Sequence, residues 1–275
     1  MPQRPAAYHR PSTLEEALRL LAEPGSAPLA GGARLLAGHA PRPLVDLQDL
    51  GLAQIEIDAG RLRLGAMTRL ADVVEYLGAG PEAADMDGPL DLGALLAKAV
   101  FLAGPNTFRN TATVGGSIAA RPADSELLAV LLALEAELLL AAPAERTLTL
   151  NDYLVHEERP GGLLISVSFA RGEGLGAAVR VARTRRDYPI VAVVAWQPEN
   201  GRPRLAATGL GPRPARLIEA EGALAAGVSP KAIERAASAA RDAARHPGDF
   251  RGSAGYRAEM AAVLTRRALG QIYKV

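Results

Sequence analysis

Two glycine pairs are the strongest candidates for chemistry in this 275-residue chain. Gly31-Gly32 follows the short apolar stretch from Ala27 to Ala30. Gly115-Gly116 lies inside Thr113-Val114-Gly115-Gly116-Ser117, which is entered through Arg109-Asn110. Small residues just past an apolar segment let backbone amides converge on a phosphate with no Cβ in the way. Two ordinary tight turns account for either pair alone equally well. Neither pair matches Gly-x-Gly-x-x-Gly or the nucleoside-triphosphate loop, so any anion would be held by another geometry.

Other chemistry-bearing residues read more blandly. Gly172-Glu173-Gly174-Leu175-Gly176 is followed by strand-like rather than helical sequence and reads as a linker. His9, His39, His156 and His246 are far apart and show no metal-ligand spacing. Ser117 lacks the Gly-x-Ser-x-Gly elbow of hydrolases. Asp124 and Glu126 open an apolar helix, where carboxylates gain from the helix dipole, so capping is their default role. Arg183, Arg185 and Arg186 before Asp187 read as a solvated cluster, with an anion or subunit contact as the minority reading.

These residues must be positioned by a mixed set of elements. Ser12-Thr13-Leu14-Glu15 predicts a capping box, and Leu14, Ala17, Leu18 and Leu21 continue it as one helical stripe. Strands are expected at Ala27 to Ala30 and Leu44 to Leu47. Residues Ile55 to Ile57 and Arg61 to Leu64 alternate around Asp58-Ala59-Gly60 as an antiparallel hairpin, so the sheet type changes near residue 54. Leu70, Val73, Val74 and Leu77 form a helical stripe, Gly78 to Pro89 a loop, and Leu90 to Leu102 a helix. A turn at Gly115-Gly116 is followed by helix Leu127 to Leu134, a hairpin of Glu137 to Leu140 with Thr147 to Leu150 around Ala142-Pro143-Ala144, and a strand from Gly162 to Phe169. Beyond the link Arg171 to Gly176, Val179 to Val181, Ile190 to Trp196 and Arg204 to Thr208 predict a three-stranded sheet, with Asn200-Gly201 as a hairpin signal. Helical stripes then run through Ala215 to Leu224, Ile233 to Ala244 and Tyr256 to Leu269.

Composition narrows the function classes. Lys and Arg total 31 against 30 Asp and Glu, and the basic residues are scattered, so nucleic acid is not an expected partner. With no cysteine, the chain itself holds neither a disulfide nor an ordinary iron–sulfur cluster, and any such centre must sit on a partner. Met1 to Pro5 lacks an apolar signal core, which points to the cytoplasm, and the richest apolar run, Glu126 to Leu140, falls short of the ~20 apolar residues of a membrane span.

Several segments together resemble the medium, FAD-binding subunit of the xanthine dehydrogenase and carbon monoxide dehydrogenase family, nearly end to end. Tyr8 to Ala17 is similar to the family's opening, Leu29-Ala30-Gly31-Gly32-Ala33-Arg34-Leu35-Leu36 to its first FAD loop, and Phe108 to Ala119, with Thr113, Val114, Gly115, Gly116 and Ser117, to its second. Glu126 to Leu134 resembles the helix after that loop, Arg180 to Asp187 a basic strand entering the last domain, and Tyr256 to Leu269 the closing helix. The resemblance implies an α+β protein: a PCMH-type FAD-binding domain of two α/β subdomains, residues 1–53 and a mostly antiparallel 54–171, then a C-terminal domain, 172–275, with a three-stranded antiparallel sheet and helices.

It further implies that both glycine loops wrap the FAD pyrophosphate with backbone amides. Glu126 stands where the family usually has an aspartate near the flavin, and Leu164 and Arg180 fall at positions lining the ring side of the cleft. Ala33-Arg34 replaces a polar pair such as Thr-Asp, and Ala120 replaces a common Asn. A hydroxyl lost at 33 weakens the site by about 0.5–1.5 kcal/mol, one net hydrogen bond. The implied role is electron transfer within a molybdenum hydroxylase, from a 2Fe–2S small subunit to FAD and on to NAD⁺ or a quinone, while a molybdopterin-binding large subunit hydroxylates the substrate. On this reading no side chain of the chain is a catalytic acid or base, since the flavin carries the redox chemistry.

The alternatives are a flavin-free assembly subunit, suggested by Ala33, Arg34 and Ala120, and a stand-alone flavin oxidoreductase. The purified protein is expected to be yellow, with flavin absorbance bands. A protein that stays colourless with added FAD selects the assembly subunit, and substrate turnover by the isolated chain selects the stand-alone enzyme.

Overall fold

The computed structural model describes residues 5–33, 35, 42–141, 144–156, 161–185 and 187–274. It opens with β1 (Ala7–His9), α1 (Leu14–Leu21), β2 (Ala27–Leu29) and β3 (Pro43–Asp46), whose strands form a parallel sheet in the order β1-β3-β2. The helix starts one residue later than its capping pattern predicts. Thr13, not Ser12, is extended at the N-cap, and its hydroxyl accepts the Glu16 amide at 3.2 Å. That register turns Ala17 and Leu20 inward against Val45 and Leu47.

The middle of the chain is built on β4 (Ile55–Asp58), β5 (Arg61–Gly65), α2 (Leu70–Tyr76), α3 (Leu92–Leu102), α4 (Asn106–Arg109), α5 (Val114–Ala120), α6 (Glu126–Ala133), β6 (Glu137–Ala141), β7 (Arg146–Thr149), α7 (Leu150–Val155) and β8 (Leu163–Ala170). Its five strands pair antiparallel in the order β4-β5-β8-β6-β7, so the change from parallel to antiparallel pairing falls where the alternating pattern begins. Of the expected turn between β6 and β7, Ala142 and Pro143 lie outside the described residues. The expected turn at Gly115-Gly116 is instead the first turn of α5, because Thr113 caps it through a 3.0 Å bond from Gly116 N to its Oγ1.

The C-terminal part carries β9 (Gly174–Val181), β10 (Val191–Pro198), β11 (Arg204–Thr208), β12 (Ala215–Arg216), α8 (Ile218–Ala223), α9 (Pro230–Asp242), β13 (Gly248–Asp249), β14 (Gly252–Ser253) and α10 (Ala254–Tyr273). The antiparallel sheet runs β12-β11-β10-β9 and so has four strands rather than the expected three. Ala215 and Arg216 had read as helix. They join the sheet edge because Arg216 is drawn to Glu221 at 2.6 Å and Glu135 at 3.1 Å while pairing with Ala206. The expected linker glycines also belong partly to the sheet. Gly174 and Gly176 lie in β9 under Trp196, whose ring a Cβ at either position would meet at 2.7 and 3.0 Å.

Residues of β10 are buried on both faces, which explains their unbroken apolar run. Val194 and Trp196 face the middle core, and Val191, Val193 and Ala195 face α8, α9 and α10. Helix α6 is buried at every residue because it lies in that middle core, packed against α3 and α7 on one side and the inner face of the C-terminal sheet on the other. The last domain is tied internally by Arg257, 1% exposed, which donates to the Ile190 and Gly209 carbonyls and to Asp249 Oδ1 at 2.7 Å. Truncating it leaves buried carbonyls unpaired, so Arg257→Ala is expected to lower stability by about 3 kcal/mol in urea unfolding.

Candidate functional site

The two glycine segments meet. Gly31 leaves β2 and packs its Cα against the Thr111 carbonyl so closely that a Cβ there would overlap Thr111 O and lie 3.3 Å from Ala112 N. Gly32 follows with φ +71°, in the left-handed region that favours glycine. Leu29 is buried, Ala30 is half-buried against the first core, Leu35 packs near Ala27 and Leu44, and Ala33 is exposed. Arg34 and Leu36 lie outside the described residues. The amides of Gly31 and Gly32 have no hydrogen-bond partner among the described residues, so they are available to a ligand.

The second segment is placed by Arg109, whose guanidinium donates to the Gly104 carbonyl at 2.5 Å and lies 4.6 Å from the centre of the Phe101 ring. This anchors the turn from which Thr111 and Ala112 emerge. The amides of Val114, Gly115, Gly116 and Ser117 are not open to a phosphate. They donate to Thr68 O, Ala66 O, Thr113 Oγ1 and Thr113 O at 2.9 to 3.0 Å. Gly115 serves instead by contact, since a Cβ there would lie 2.6 Å from the Ala66 Cβ. The amides from Val114 to Ser117 are thus all engaged, whereas those of Gly31 and Gly32 are free.

Downstream of α5 a cleft is lined by Ser117, Pro122, Asp124, Ser125, Glu126 and Tyr188 and backed by apolar groups of Leu102, Phe108 and Leu127. Neither carboxylate expected to cap α6 does so. Ser125 is the cap, accepting the Leu128 amide at 3.2 Å, and Asp124 pairs with Arg251 of the β13–β14 turn at 3.0 Å. Glu126, 7% exposed, faces Arg180 Nε at 3.5 Å, and that contact lacks hydrogen-bond geometry, leaving Nε unpartnered. Burial pushes the Glu126 carboxyl up to about 7, against the opposing pull of Arg180 and Lys98. The remaining nitrogens of Arg180 hold the loop after β9, donating to the Arg185 carbonyl at 3.2 Å and to the Asp187 carbonyl. Of the expected basic cluster, Arg183 and Arg185 are exposed, Arg185 pairs with Asp85 at 3.2 Å, and Arg186 lies outside the described residues.

The structure therefore makes two local groupings of the expected residues: Gly31 meets the segment that leads through Thr113 into α5, and Ser117 and Glu126 line one cleft, with Arg180 paired to Glu126. Leu164 is buried in the middle core opposite Leu140, and neither it nor Arg180 is among the residues that line the cleft beside Glu126. Sequence reasoning missed Lys98, which is 7% exposed in α3 and donates to the Met86 carbonyl at 2.5 Å. Its signal was a single charge inside the apolar run Leu92 to Leu102. It also missed Tyr188, a half-exposed aromatic at the cleft mouth. Among the described residues no group of three or more His, Cys, Asp or Glu could hold a metal.

Two substitutions test this geometry. Gly31→Ala must force the loops apart, whereas a Cβ at Gly116 meets only Thr113 Oγ1 at 3.0 Å, so Gly31→Ala should lower FAD affinity at least tenfold more than Gly116→Ala in flavin titrations. For Glu126, folding raises the pKa from 4.5 to about 7, so the folded state binds the proton more tightly and stability falls as pH rises through that window. In the flavin-free chain Glu126→Gln should be more stable than wild type at pH 8 by up to roughly 3 kcal/mol, and the gain should vanish below pH ~4.5, as read by denaturant midpoints.

Residues 4–169 match the family model described as the FAD binding domain in molybdopterin dehydrogenase, and residues 178–272 match that of the CO dehydrogenase flavoprotein C-terminal domain. Subunit alpha of the 6-hydroxypseudooxynicotine dehydrogenase complex of Paenarthrobacter nicotinovorans is 32% identical over 280 residues, 94% of this chain and 91% of that one. The carbon monoxide dehydrogenase medium chain of Hydrogenophaga pseudoflava is 28% identical over 288 residues, 95% of either chain. A solved carbon monoxide dehydrogenase from the same organism, lacking the Mo-pyranopterin moiety of its molybdenum cofactor, superposes with a TM-score of 0.86 at 26% identity, over 100% of this chain and 99% of that one. With free amides at Gly31 and Gly32, and a glycine contact there that no side chain could replace, the residues present fit the phosphates of FAD. The chain belongs to the FAD-binding medium subunits of the xanthine dehydrogenase and carbon monoxide dehydrogenase family, and is an oxidoreductase subunit whose cofactor is FAD.

Proposed function

We propose that this chain is the electron-transfer subunit of a molybdenum hydroxylase complex, taking electrons from a 2Fe–2S partner and passing them to an external acceptor such as NAD⁺ or a quinone. Bound FAD supplies the exchange between single electrons and electron pairs. The observation that carries the reading is the contact of Gly31 with Thr111, which brings the two loops of the FAD-binding domain into one site. The absence of cysteine supports placing the iron–sulfur cluster on a small partner subunit and molybdopterin on a large one. No helix of the described residues is long and apolar enough to cross a membrane, and we place the complex in the cytoplasm.

In this assignment the amides of Gly31 and Gly32 hold the pyrophosphate, with Leu29, Ala30, Ala33 and Leu35 shaping that loop. Thr113 to Gly116 form the rigid wall against which it packs, and the Ser117 hydroxyl, Glu126 and Arg180 face the rest of the cofactor. Leu164 acts only from the core behind them. Functional boundaries are placed at 53/54 and 171/172, so the first two parts hold FAD and the third, through β9 and the β13–β14 turn, closes the cleft.

Native purification tests the assignment. Flavin should co-elute with the chain, together with an iron–sulfur polypeptide and a molybdenum-containing one, and reduction by the complex's substrate should bleach the flavin bands. Recovery of the chain alone, without flavin or partners, would overturn it.

A further inference from the structure

The face around Glu126 holds a buried carboxylate that accepts no side-chain hydrogen bond from the described residues. Its one ion pair among them is with Arg180 Nε, 3.5 Å away without hydrogen-bond geometry, which leaves that nitrogen unpartnered. Lys98 approaches from α3, but its ammonium is spent on the Met86 carbonyl and is shared electrostatically with Asp85 and Asp87. Asp124, on the segment before α6, adds a like charge that Arg251 only partly offsets. Tyr188 lines the same cleft and is exposed enough to leave a route to solvent. A buried anion with two imperfect cationic neighbours and an adjacent like charge is poised between its charged and neutral forms.

We propose that Glu126 is a proton-uptake site coupled to reduction of the cofactor: as two electrons enter from the iron–sulfur partner, one proton passes from solvent through the cleft onto a Glu126 carboxylate oxygen. The inference rests on the function proposed above. Electrons added beside a buried carboxylate raise its proton affinity, and the proton bound there offsets one of the two added charges. Burial within the chain raises the carboxyl to about 7, so a change in its occupancy falls within the working pH range. Any proton taken by the isoalloxazine itself is additional and does not involve this side chain. Lys98 and Arg180 are positioning residues here, holding Glu126 charged before the electrons arrive.

The full chain, loaded with FAD, is reduced stepwise at pH 8 in weakly buffered solution with a pH indicator, and infrared difference spectra are recorded in parallel. Wild type should take up close to one proton more per electron pair than Glu126→Gln. Its reduced-minus-oxidised spectrum should gain a protonated-carboxyl band that shifts in D₂O and on labelling glutamate with carboxyl ¹³C. Lys98→Met should move the pH range of the extra uptake upward, because its charge no longer holds the carboxyl ionised. Equal proton counts in wild type and Glu126→Gln, or no glutamate-derived band in flavin-loaded wild type, would refute the inference and leave the FAD assignment standing. Failure of wild type to bind FAD at all overturns both. The labelled wild-type spectrum decides the matter even if the variants bind flavin poorly.

Discussion

Helix α6 is enclosed by α3, α7 and the C-terminal sheet, so none of its surface is left for solvent, and every residue from Glu126 to Ala133 is buried. Seven of those eight residues are apolar and meet that demand by packing. The exception stands at the first turn, where the helix dipole favours a negative charge but burial opposes it. The rest of the cleft is arranged around this conflict. Lys98 on α3 and Arg180 on β9 bring positive charge to one end of an apolar helix, and Arg180 spends its other nitrogens on the loop that carries Tyr188. A carboxylate that would be costly in isolation thereby links α3 and α6 to β9 at the edge of the cleft.

The C-terminal domain holds the same segment from the other side. Thr208 Oγ1 donates to the Ala123 carbonyl at 2.5 Å, and Arg251 pairs with Asp124 at 3.0 Å. Residues 123–126, which connect the second glycine segment to α6, are therefore fixed by contacts with β9, β11 and the β13–β14 turn. This gives the last domain a part in shaping the site although it contributes neither glycine loop. Arg257 and Asp249 in turn make that turn rigid, so the Arg251 contact has a fixed base.

At the glycine segments the decisive force is steric. Gly31 reaches the Thr111 carbonyl only because it has no Cβ, and Gly115 reaches Ala66 for the same reason. The first approach sets the parallel N-terminal sheet against the segment before α5, and the second sets α5 against the end of β5. The consequence for binding is a division of labour: the second loop uses its amides to fasten itself to residues 66–68, and the first keeps its own free.

Periodicity and composition by themselves determined most of the elements: the hairpin at 55–64, the buried helix-then-strand run from Glu126, the mixed class and the place where parallel pairing ends. They also determined that any iron–sulfur centre lies on another chain, because a sequence without cysteine has no thiolate to offer. Residue type singled out both glycine pairs, while Glu126 and Arg180 were named as site residues only through the family resemblance. Only the tertiary structure decided that the α5 amides are occupied, that Leu164 turns into the core, that Ala215–Arg216 is a strand and that Lys98 joins Glu126. Those outcomes depend mostly on partners far away in the chain: an amide's acceptor, an arginine's carboxylate, the water excluded around a charge. A hydrophobic pattern reports which face is buried, but not what it is buried against.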